Sequence, residues 1–285
     1  MRPYFEKMPG FGKALKENRI ARTQDSRAKL EAIEAEIAAA KKAAEELGIP
    51  TAKINERGGL TVWQRLEYLV DPGTWQPLHS LYNPEDNEEG TTNVVDGLGK
   101  IGGRWAVIIG FDNKVLAGAW IAGQPDNILR VTNLAKRLHI PLVWLVNCSG
   151  VKLPDQEKFY ADRRGSGAPF FRHAELEQAG IPVLAGIYGT NPAGGGYQAI
   201  SPTILIAHKD ANIAVGGVGI VSGMAPQGGF DVAGLEQLIA VTRNMKDKPP
   251  GSASTHYDAT GFFTRVCDEE KGVLDGIKEY MRMIP

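Results

Sequence analysis

Two segments of the sequence combine a strand-like run with a glycine-rich end. Residues 142–151 and 181–197 each begin with apolar residues, and the second segment contains Gly194, Gly195 and Gly196. Continuous aliphatic runs are typical of buried parallel strands. Both glycine-rich ends should therefore lie at the carboxyl edge of a sheet, where open α/β sheets bind ligands.

The triple glycine suggests what such an edge could do. Glycine lets the backbone approach a ligand closely, and a helix that starts there would add unpaired N–H donors and the positive end of its dipole. Two loops of this kind that converge predict an oxyanion hole, formed by backbone donors. We expect the second loop to lie outside the core and to include a turn with positive φ.

Nucleotide binding is a weaker interpretation of the same glycines. Residues 194–199 match a dinucleotide fingerprint, with Asp210 downstream as a candidate ribose ligand. However, Pro202 follows so soon after Gly196 that a crossover helix of about a dozen residues does not fit. No phosphate-binding Gly-Lys-Ser/Thr sequence is present either.

A thiol nucleophile and a metal site are the other chemical alternatives. Cys148 follows the first apolar run, and its candidate bases are His139, His173 and His208. A free cysteine is commonly a small buried apolar residue, and no feature of the sequence indicates a lowered pKa. The acidic segment 83–92 lacks the spacing of a calcium loop, so it predicts a surface loop and no metal.

Composition limits the class of protein. The chain has 285 residues, a net charge of -1 and 43% hydrophobic residues, which predicts a globular protein without a general affinity for nucleic acid or anionic lipid. Two cysteines without CxxC spacing and the absence of a secretory signal favour a cytoplasmic location. No apolar run reaches the roughly eighteen residues of a membrane span.

The remaining patterns predict the elements that position the two loops. An irregular arm precedes a long helix at residues 27–47, which Asp25 or Ser26 would cap. Thr61 and Gln64 fit a capping box, and residues 94–111 a hairpin. Alternating helices and strands then predict an α/β domain with a largely parallel sheet. The later predicted helices cover residues 122–138, 168–179, 232–242 and 269–283, and two short strands cover 203–207 and 212–215.

Five short motifs carry a resemblance to a known family. They are Gly-Lys-Ile-Gly-Gly-Arg at 99–104, Asn-Cys-Ser-Gly-Val at 147–151, Phe-Phe-Arg at 170–172, Ala-Gly-Gly-Gly-Tyr at 193–197 and Met-Arg-Met-Ile-Pro at 281–285. Together they resemble the acyl-CoA half of biotin-dependent carboxyltransferases. The resemblance implies a crotonase-like α/β fold of ββα units at residues 61–285, with residues 1–60 as an N-terminal helical extension. It also implies a second, tandem domain beyond this sequence.

The resemblance assigns roles to specific residues. The thioester oxygen would be held by the N–H of Val151 and by that of Gly194 or Gly195. Around the substrate would lie Gly150, Gly196 and Tyr197, while Arg163 and Arg164 are candidates for the CoA phosphates or, equally, for solvated surface charges. Most family members have Ser-Gly-Gly-Ala-Arg where this chain has Ser-Gly-Val-Lys at 149–152, so the first donor could shift by one residue.

The implied reaction removes the terminal carboxyl group of an enoyl-CoA such as glutaconyl-CoA and transfers it to biotin on a separate carrier protein. The dienolate intermediate needs donors at its oxygen rather than a side-chain base. Alternatives are carboxylation of acetyl-, propionyl- or methylcrotonyl-CoA, and a non-catalytic CoA-binding half-domain. Expected partners are the biotin carrier, the second carboxyltransferase domain and a second copy in a dimer. The inner membrane would be reached only through other subunits of a sodium-pump complex.

Overall fold

A computed structural model describes residues 17–160, 163–214 and 251–284. The contacts within the chain divide it into one unit of Met1–Ala43 and a second of Ala44–Pro285. The domain boundary that the sequence predicts at residue 60 stays a prediction. Among the described residues, none of the helices has the length and apolar character needed to cross a membrane.

The described part of the chain alternates helices and strands. Its helices are α1 Glu17–Glu46, α2 Thr51–Asn55, α3 Val62–Leu69, α4 Gln124–Leu138, α5 Gln156–Tyr160, α6 Gly167–Gln178, α7 Gly194–Ile200, α8 Ala253–Asp258 and α9 Glu270–Met283. Its strands are β1 Gln76–Leu78, β2 Val94–Ile101, β3 Arg104–Phe111, β4 Leu142–Val146, β5 Val183–Ile187, β6 Thr190–Pro192, β7 Ile204–His208, β8 Asn212–Ala214 and β9 Arg265–Cys267.

Seven strands form one sheet in the order β1-β2-β3-β4-β5-β7-β9, and β6 pairs with β8 separately. The hairpin strands β2 and β3 are antiparallel, and every pair from β3 to β9 is parallel. The face that carries Trp144 packs against α4 and α6, while the face that carries Val143 and Leu145 packs against α3 and α9. Because β4 and β5 are covered on both faces, all ten of their residues are buried.

Most elements lie where the sequence predicts them. The hairpin has the predicted bounds, and Thr61 and Gln64 form the predicted capping box at the start of α3. The long first helix begins earlier than predicted, at Glu17, so the proposed caps Asp25 and Ser26 are wrong. The irregular arm predicted for residues 1–25 is wrong for residues 17–25, which lie in α1; its first 16 residues and the predicted helix at 232–242 lie outside the described residues.

A buried ion pair joins α3 to α9 on the face of the sheet that carries Val143 and Leu145. The Nε and Nη2 atoms of Arg65 donate to the two carboxylate oxygens of Glu270 over 2.8 and 2.9 Å. The guanidinium carbon of Arg65 also lies 3.9 Å from the ring centroid of Tyr188, the residue that follows β5. This ion pair therefore supports the base of the second glycine-rich loop.

Candidate active site

The two glycine-rich loops leave the same edge of the sheet. Strands β4 and β5 are parallel neighbours, with Val146 opposite Ile187 at their carboxyl ends. The Tyr188 N–H donates to the carbonyl oxygen of Val146 over 2.9 Å, which keeps the strands together as the loops begin. The sequence-based placement of both loops is confirmed.

The loops also contact each other closely. A Cβ atom added to Gly195 would lie 2.7 Å from the carbonyl oxygen of Cys148, and one added to Gly150 would lie 3.4 Å from Cγ of Pro192. The first of these distances is shorter than real Cβ contacts allow, so the backbones meet only because residue 195 has no side chain.

Asn191 fastens one loop to the other, and sequence reasoning missed it. Its Oδ1 atom accepts the Cys148 N–H over 2.8 Å, and its Nδ2 atom donates to the carbonyl oxygens of Tyr188 and Gly189 over 2.9 and 3.2 Å. The side chain is fully buried. An asparagine in the polar turn directly after a buried strand was the available signal, since such residues commonly bond the local backbone.

Trp120 fixes the direction of the first loop. The Trp120 N–H donates to the Gly150 carbonyl over 2.7 Å, and the Lys152 N–H donates to the Trp120 carbonyl over 2.9 Å. This parallel bridge turns the intervening Val151 N–H to the side away from Trp120. Within the described part of the chain, that N–H has no acceptor, so it is available to a ligand.

The second loop ends in a helix whose first donors are also unused. The Tyr197 N–H bonds to the Ala193 carbonyl over 3.0 Å, whereas the N–H groups of Gly194, Gly195 and Gly196 have no acceptor among the described residues. Unpaired donors of this kind are expected in the first turn of a helix. Two groups of backbone donors therefore stand at one sheet edge.

The second loop is more buried than expected, and its turn with positive φ precedes the triple glycine. Gly195 and Gly196 are buried, so the expectation that this loop lies outside the core is wrong for them. The positive φ angles of this loop are at Gly189 (φ 59°) and Ala193 (φ 47°), and not in the triple glycine. Ala193 thus holds the strained turn that redirects the chain from β6 into α7.

An aromatic cluster lies beside the second loop. The Trp120 ring stacks on Phe170 with centroids 5.5 Å apart, and Phe170 meets Tyr197 edge-on at 5.4 Å. A Cβ atom added to Gly194 would lie 3.9 Å from the Trp120 ring. Trp120 is fully buried while Tyr197 is 45% exposed. Tyr197 is therefore placed to contact a bound molecule, and its role in substrate binding stays a prediction.

The two arginines after the first loop differ in their surroundings. Arg163 is exposed, whereas Arg164 forms an ion pair with Asp126 in the first turn of α4. Burial alone would raise the pKa of Asp126, but hydrogen bonds from Tyr82, Arg130 and Arg164 lower it below its usual value. Arg164 would have to leave this carboxylate to bind a CoA phosphate. The role of both arginines stays a prediction.

Cys148 is in an environment that suppresses thiol chemistry. Burial raises the pKa of its thiol to about 12. Of the candidate bases, His173 is buried, which lowers its pKa to about 4, and His208 bonds to the Asp268 carbonyl over 3.1 Å. No imidazole in the described ranges forms a hydrogen bond with Cys148, so a thiolate nucleophile is not prepared here.

Replacement of Cys148 by alanine should change turnover by less than about threefold, because only a protonated, buried thiol is lost. Iodoacetamide should leave the native thiol unmodified at pH 8, well below its pKa of about 12. Turnover of the variant and mass spectrometry of the treated native protein provide the measurements. Alkylation of Cys148 itself, together with loss of turnover in the alanine variant, would restore Cys148 as a nucleophile.

Comparison with known proteins identifies the family. Residues 53–285 match the family described as the carboxyl transferase domain. The chain belongs to this family.

Two relatives show how much of the family's length is represented. The glutaconyl-CoA decarboxylase subunit alpha of Acidaminococcus fermentans is 51% identical over 283 residues, which cover 99% of this chain and 48% of that protein. The mitochondrial methylcrotonoyl-CoA carboxylase beta chain of Dictyostelium discoideum is 31% identical over 172 residues, which cover 58% of this chain and 29% of that protein. The chain spans less than half the length of either relative.

Two solved structures share the fold. The beta subunit of Pseudomonas aeruginosa geranyl-CoA carboxylase has a TM-score of 0.68 at 20% identity, covering 98% of this chain and 48% of that chain. Transcarboxylase 12S, solved with methylmalonyl-coenzyme A bound, has a TM-score of 0.71 at 19% identity and covers 88% of this chain and 47% of its own. The predicted crotonase-like α/β fold is confirmed.

Proposed function

We propose that this chain is the acyl-CoA half of a carboxyltransferase that removes the terminal carboxyl group of glutaconyl-CoA and passes it to biotin on a separate carrier protein. The observation that carries the proposal is the pair of unused backbone donor groups, Val151 on one loop and Gly194 or Gly195 on the other. The 51% identity to a glutaconyl-CoA decarboxylase subunit supports the choice of substrate.

The chemistry needs donors at one oxygen atom. When the bond to the departing carboxyl group breaks, its electron pair delocalises through the carbon–carbon double bond onto the thioester oxygen. Two N–H groups directed at that oxygen stabilise the developing charge, and loss of one oxyanion donor typically costs about 3–4 kcal/mol. Gly150, Gly196 and Tyr197 would line the substrate, and Arg163 with Arg164 would meet the CoA phosphates. The proton that the ureido nitrogen of biotin loses on carboxylation is taken up by the dienolate, which becomes crotonyl-CoA, so the protein needs no side-chain base for this step.

Biotin enters as the acceptor of the carboxyl group. The unused N–H groups of the two loops can bind a carbonyl oxygen, and under this proposal the thioester oxygen of the substrate occupies them. The carbonyl oxygen of biotin then needs other donors. We therefore assign the ureido site of biotin to an interface with the second carboxyltransferase domain. The carrier subunit, that second domain and a cytoplasmic complex at the inner membrane complete the proposed setting.

Self-association is the other part of the proposed assembly. Leu30, Ile33 and Ile37 on α1 are 59%, 50% and 41% exposed, which is unusual for large aliphatic side chains at helical spacing. A dimer would cover this apolar stripe. Sedimentation of the complete protein distinguishes a dimer from a monomer.

Binding of an acyl-CoA and of a matched thioether tests the donors directly. Crotonyl-CoA should bind the chain without biotin, and the analogue with a methylene group in place of its thioester carbonyl should bind about tenfold more weakly or worse, because buried donors lose their acceptor. Isothermal titration measures both affinities. Equal affinities would reject the oxyanion hole, and tight binding of free biotin would reject the proposed division between the domains.

The carboxylase direction is favoured by similarity to carboxylases, such as the 31% identity to a methylcrotonoyl-CoA carboxylase beta chain. The same donors would stabilise an enolate formed in either direction of transfer. Product analysis of the complete enzyme decides between them, since carboxybiotin should form from glutaconyl-CoA under the proposed function. Carboxylation of 3-methylcrotonyl-CoA with no reaction of glutaconyl-CoA would favour the alternative.

A further inference from the structure

The acidic segment at residues 83–92 is a well-bonded loop. The Asn87 N–H donates to Oδ1 of Asn83 over 3.1 Å, and the Asn87 Nδ2 atom donates to the carbonyl oxygens of Thr91 and Ala122 over 3.0 and 2.9 Å. Because Ala122 lies two residues before α4, these bonds attach the loop to the start of that helix.

The same loop reaches the first glycine-rich loop through an ion pair. The Nζ atom of Lys152 lies 2.7 Å from Oε1 of Glu89 and 3.4 Å from Oδ2 of Asp155. The side chains of Lys152 and Glu89 are 28% and 15% exposed, so the pair is partly removed from solvent. Their attraction therefore exceeds that of a fully solvated surface pair.

Glu89 depends on this lysine. Its second oxygen, Oε2, is buried and has no partner in the part of the chain that the structure describes. A carboxylate that is partly desolvated and has only one cationic partner is strongly held by it, since separation would leave a charge with poor solvation. The hydrogen bond that Lys152 donates to Glu89 also raises the pKa of Lys152, which keeps the amine protonated.

Lys152 is the residue directly after the proposed donor Val151. Its N–H is bonded to the Trp120 carbonyl, and its side chain is bonded to Glu89. The backbone after Val151 is thus held on two sides, by the core through Trp120 and by the acidic loop through Glu89. Free rotation of the Val151 peptide is restricted as a result.

We propose that the acidic loop braces the first glycine-rich loop through the Glu89–Lys152 ion pair, which makes both side chains positioning residues for the Val151 N–H. The catalytic consequence rests on the proposed function, whereas the brace itself does not. A donor that moves by about 1 Å can lose a hundredfold in rate, so a flexible surface lysine gains a role in turnover without touching the substrate.

The test compares Lys152→Met, Glu89→Gln and the double variant in the complete enzyme. Each should lower kcat by about tenfold with KM changed less than about twofold, and the double variant should be no worse than either single one, because both changes remove the same contact. Lys152→Arg, which retains the cation, should keep turnover within about twofold of the native enzyme. Lys136→Met is the control, because it also removes a lysine from an ion pair, the 3.2 Å pair with Glu175 between α4 and α6. This pair does not contact the first glycine-rich loop, so turnover should stay native.

Hydrogen exchange of the peptide covering residues 149–153 reports on the brace without any chemistry. It should become faster in Lys152→Met and in Glu89→Gln, but not in the control. Unchanged exchange, or additive losses of turnover in the double variant, would each overturn the brace. Faster exchange with native turnover would retain the brace and reject Val151 as an oxyanion donor, so the two proposals fail separately.

Discussion

Gly195→Ala should lower the decarboxylation rate of the complete enzyme by about a hundredfold or more, the scale of losing an oxyanion donor. The added Cβ atom would lie 2.7 Å from the Cys148 carbonyl oxygen and 3.0 Å from the Cys148 Cβ atom. Backbone atoms cannot rotate away as a side chain can, so the two loops must separate. Donors on opposite loops would then no longer meet at one oxygen.

Two other glycines make the test specific. Gly194→Ala places its Cβ atom 3.9 Å from the Trp120 ring, an ordinary contact, and should cost much less activity. Gly167→Ala, at the start of α6, meets no atom within 4 Å and is the control. Steady-state kinetics gives the rates, and thermal unfolding shows the cost of overpacking, about 1–3 kcal/mol. A folded Gly195→Ala variant with native turnover would contradict the proposed oxyanion hole.

The sequence predicts the position of the site because the relevant signals are local. Continuous apolar runs mark β4 and β5, and parallel strands in adjacent positions bring their carboxyl ends together. The glycines after each run then indicate where backbone donors can approach a ligand. The five motifs added the family and the crotonase-like fold, which the comparisons confirm.

The details that sequence reasoning missed all depend on contacts between distant residues. Gly195 is buried because Cys148, 47 positions earlier, lies against it. Asn191 accepts a hydrogen bond from the same Cys148, 43 positions earlier. Nothing near Lys152 in the sequence indicates that its side chain pairs with Glu89, which lies 63 positions earlier. Periodicity reports which face of an element is apolar, but it does not report which polar side chains meet across elements.

Arg65 is the clearest example of this limit. The amphipathic pattern of α3 predicts Leu66 and Leu69 in the core and a charged residue at the surface. Instead, Arg65 lies on the buried side with 1% of its side chain exposed, because Glu270 provides a bidentate partner from α9. A buried charge can be predicted only when its partner is known.

Arg65→Met should therefore destabilise the protein by about 3–5 kcal/mol, the usual cost of leaving one member of a buried ion pair alone. Methionine can fill much of the space that the arginine stem occupies, but Glu270, which also accepts the Leu60 N–H over 3.2 Å, keeps a buried charge without its cation. The contact with the Tyr188 ring is lost as well. Denaturant unfolding measures the change in free energy.

The control for this variant is a more exposed ion pair between β9 and the C-terminal half of α9. Arg265 and Glu279 lie 2.8 Å apart with side chains 38% and 47% exposed, so Arg265→Met should cost less than about 1 kcal/mol. The double variant Arg65→Met/Glu270→Met removes both buried charges and should recover much of the stability lost in Arg65→Met. If Arg65→Met costs no more than Arg265→Met, burial of the ion pair is not what makes it important. In that case the support that α3 and α9 give to Tyr188, and through it to the second loop, must come from apolar packing alone.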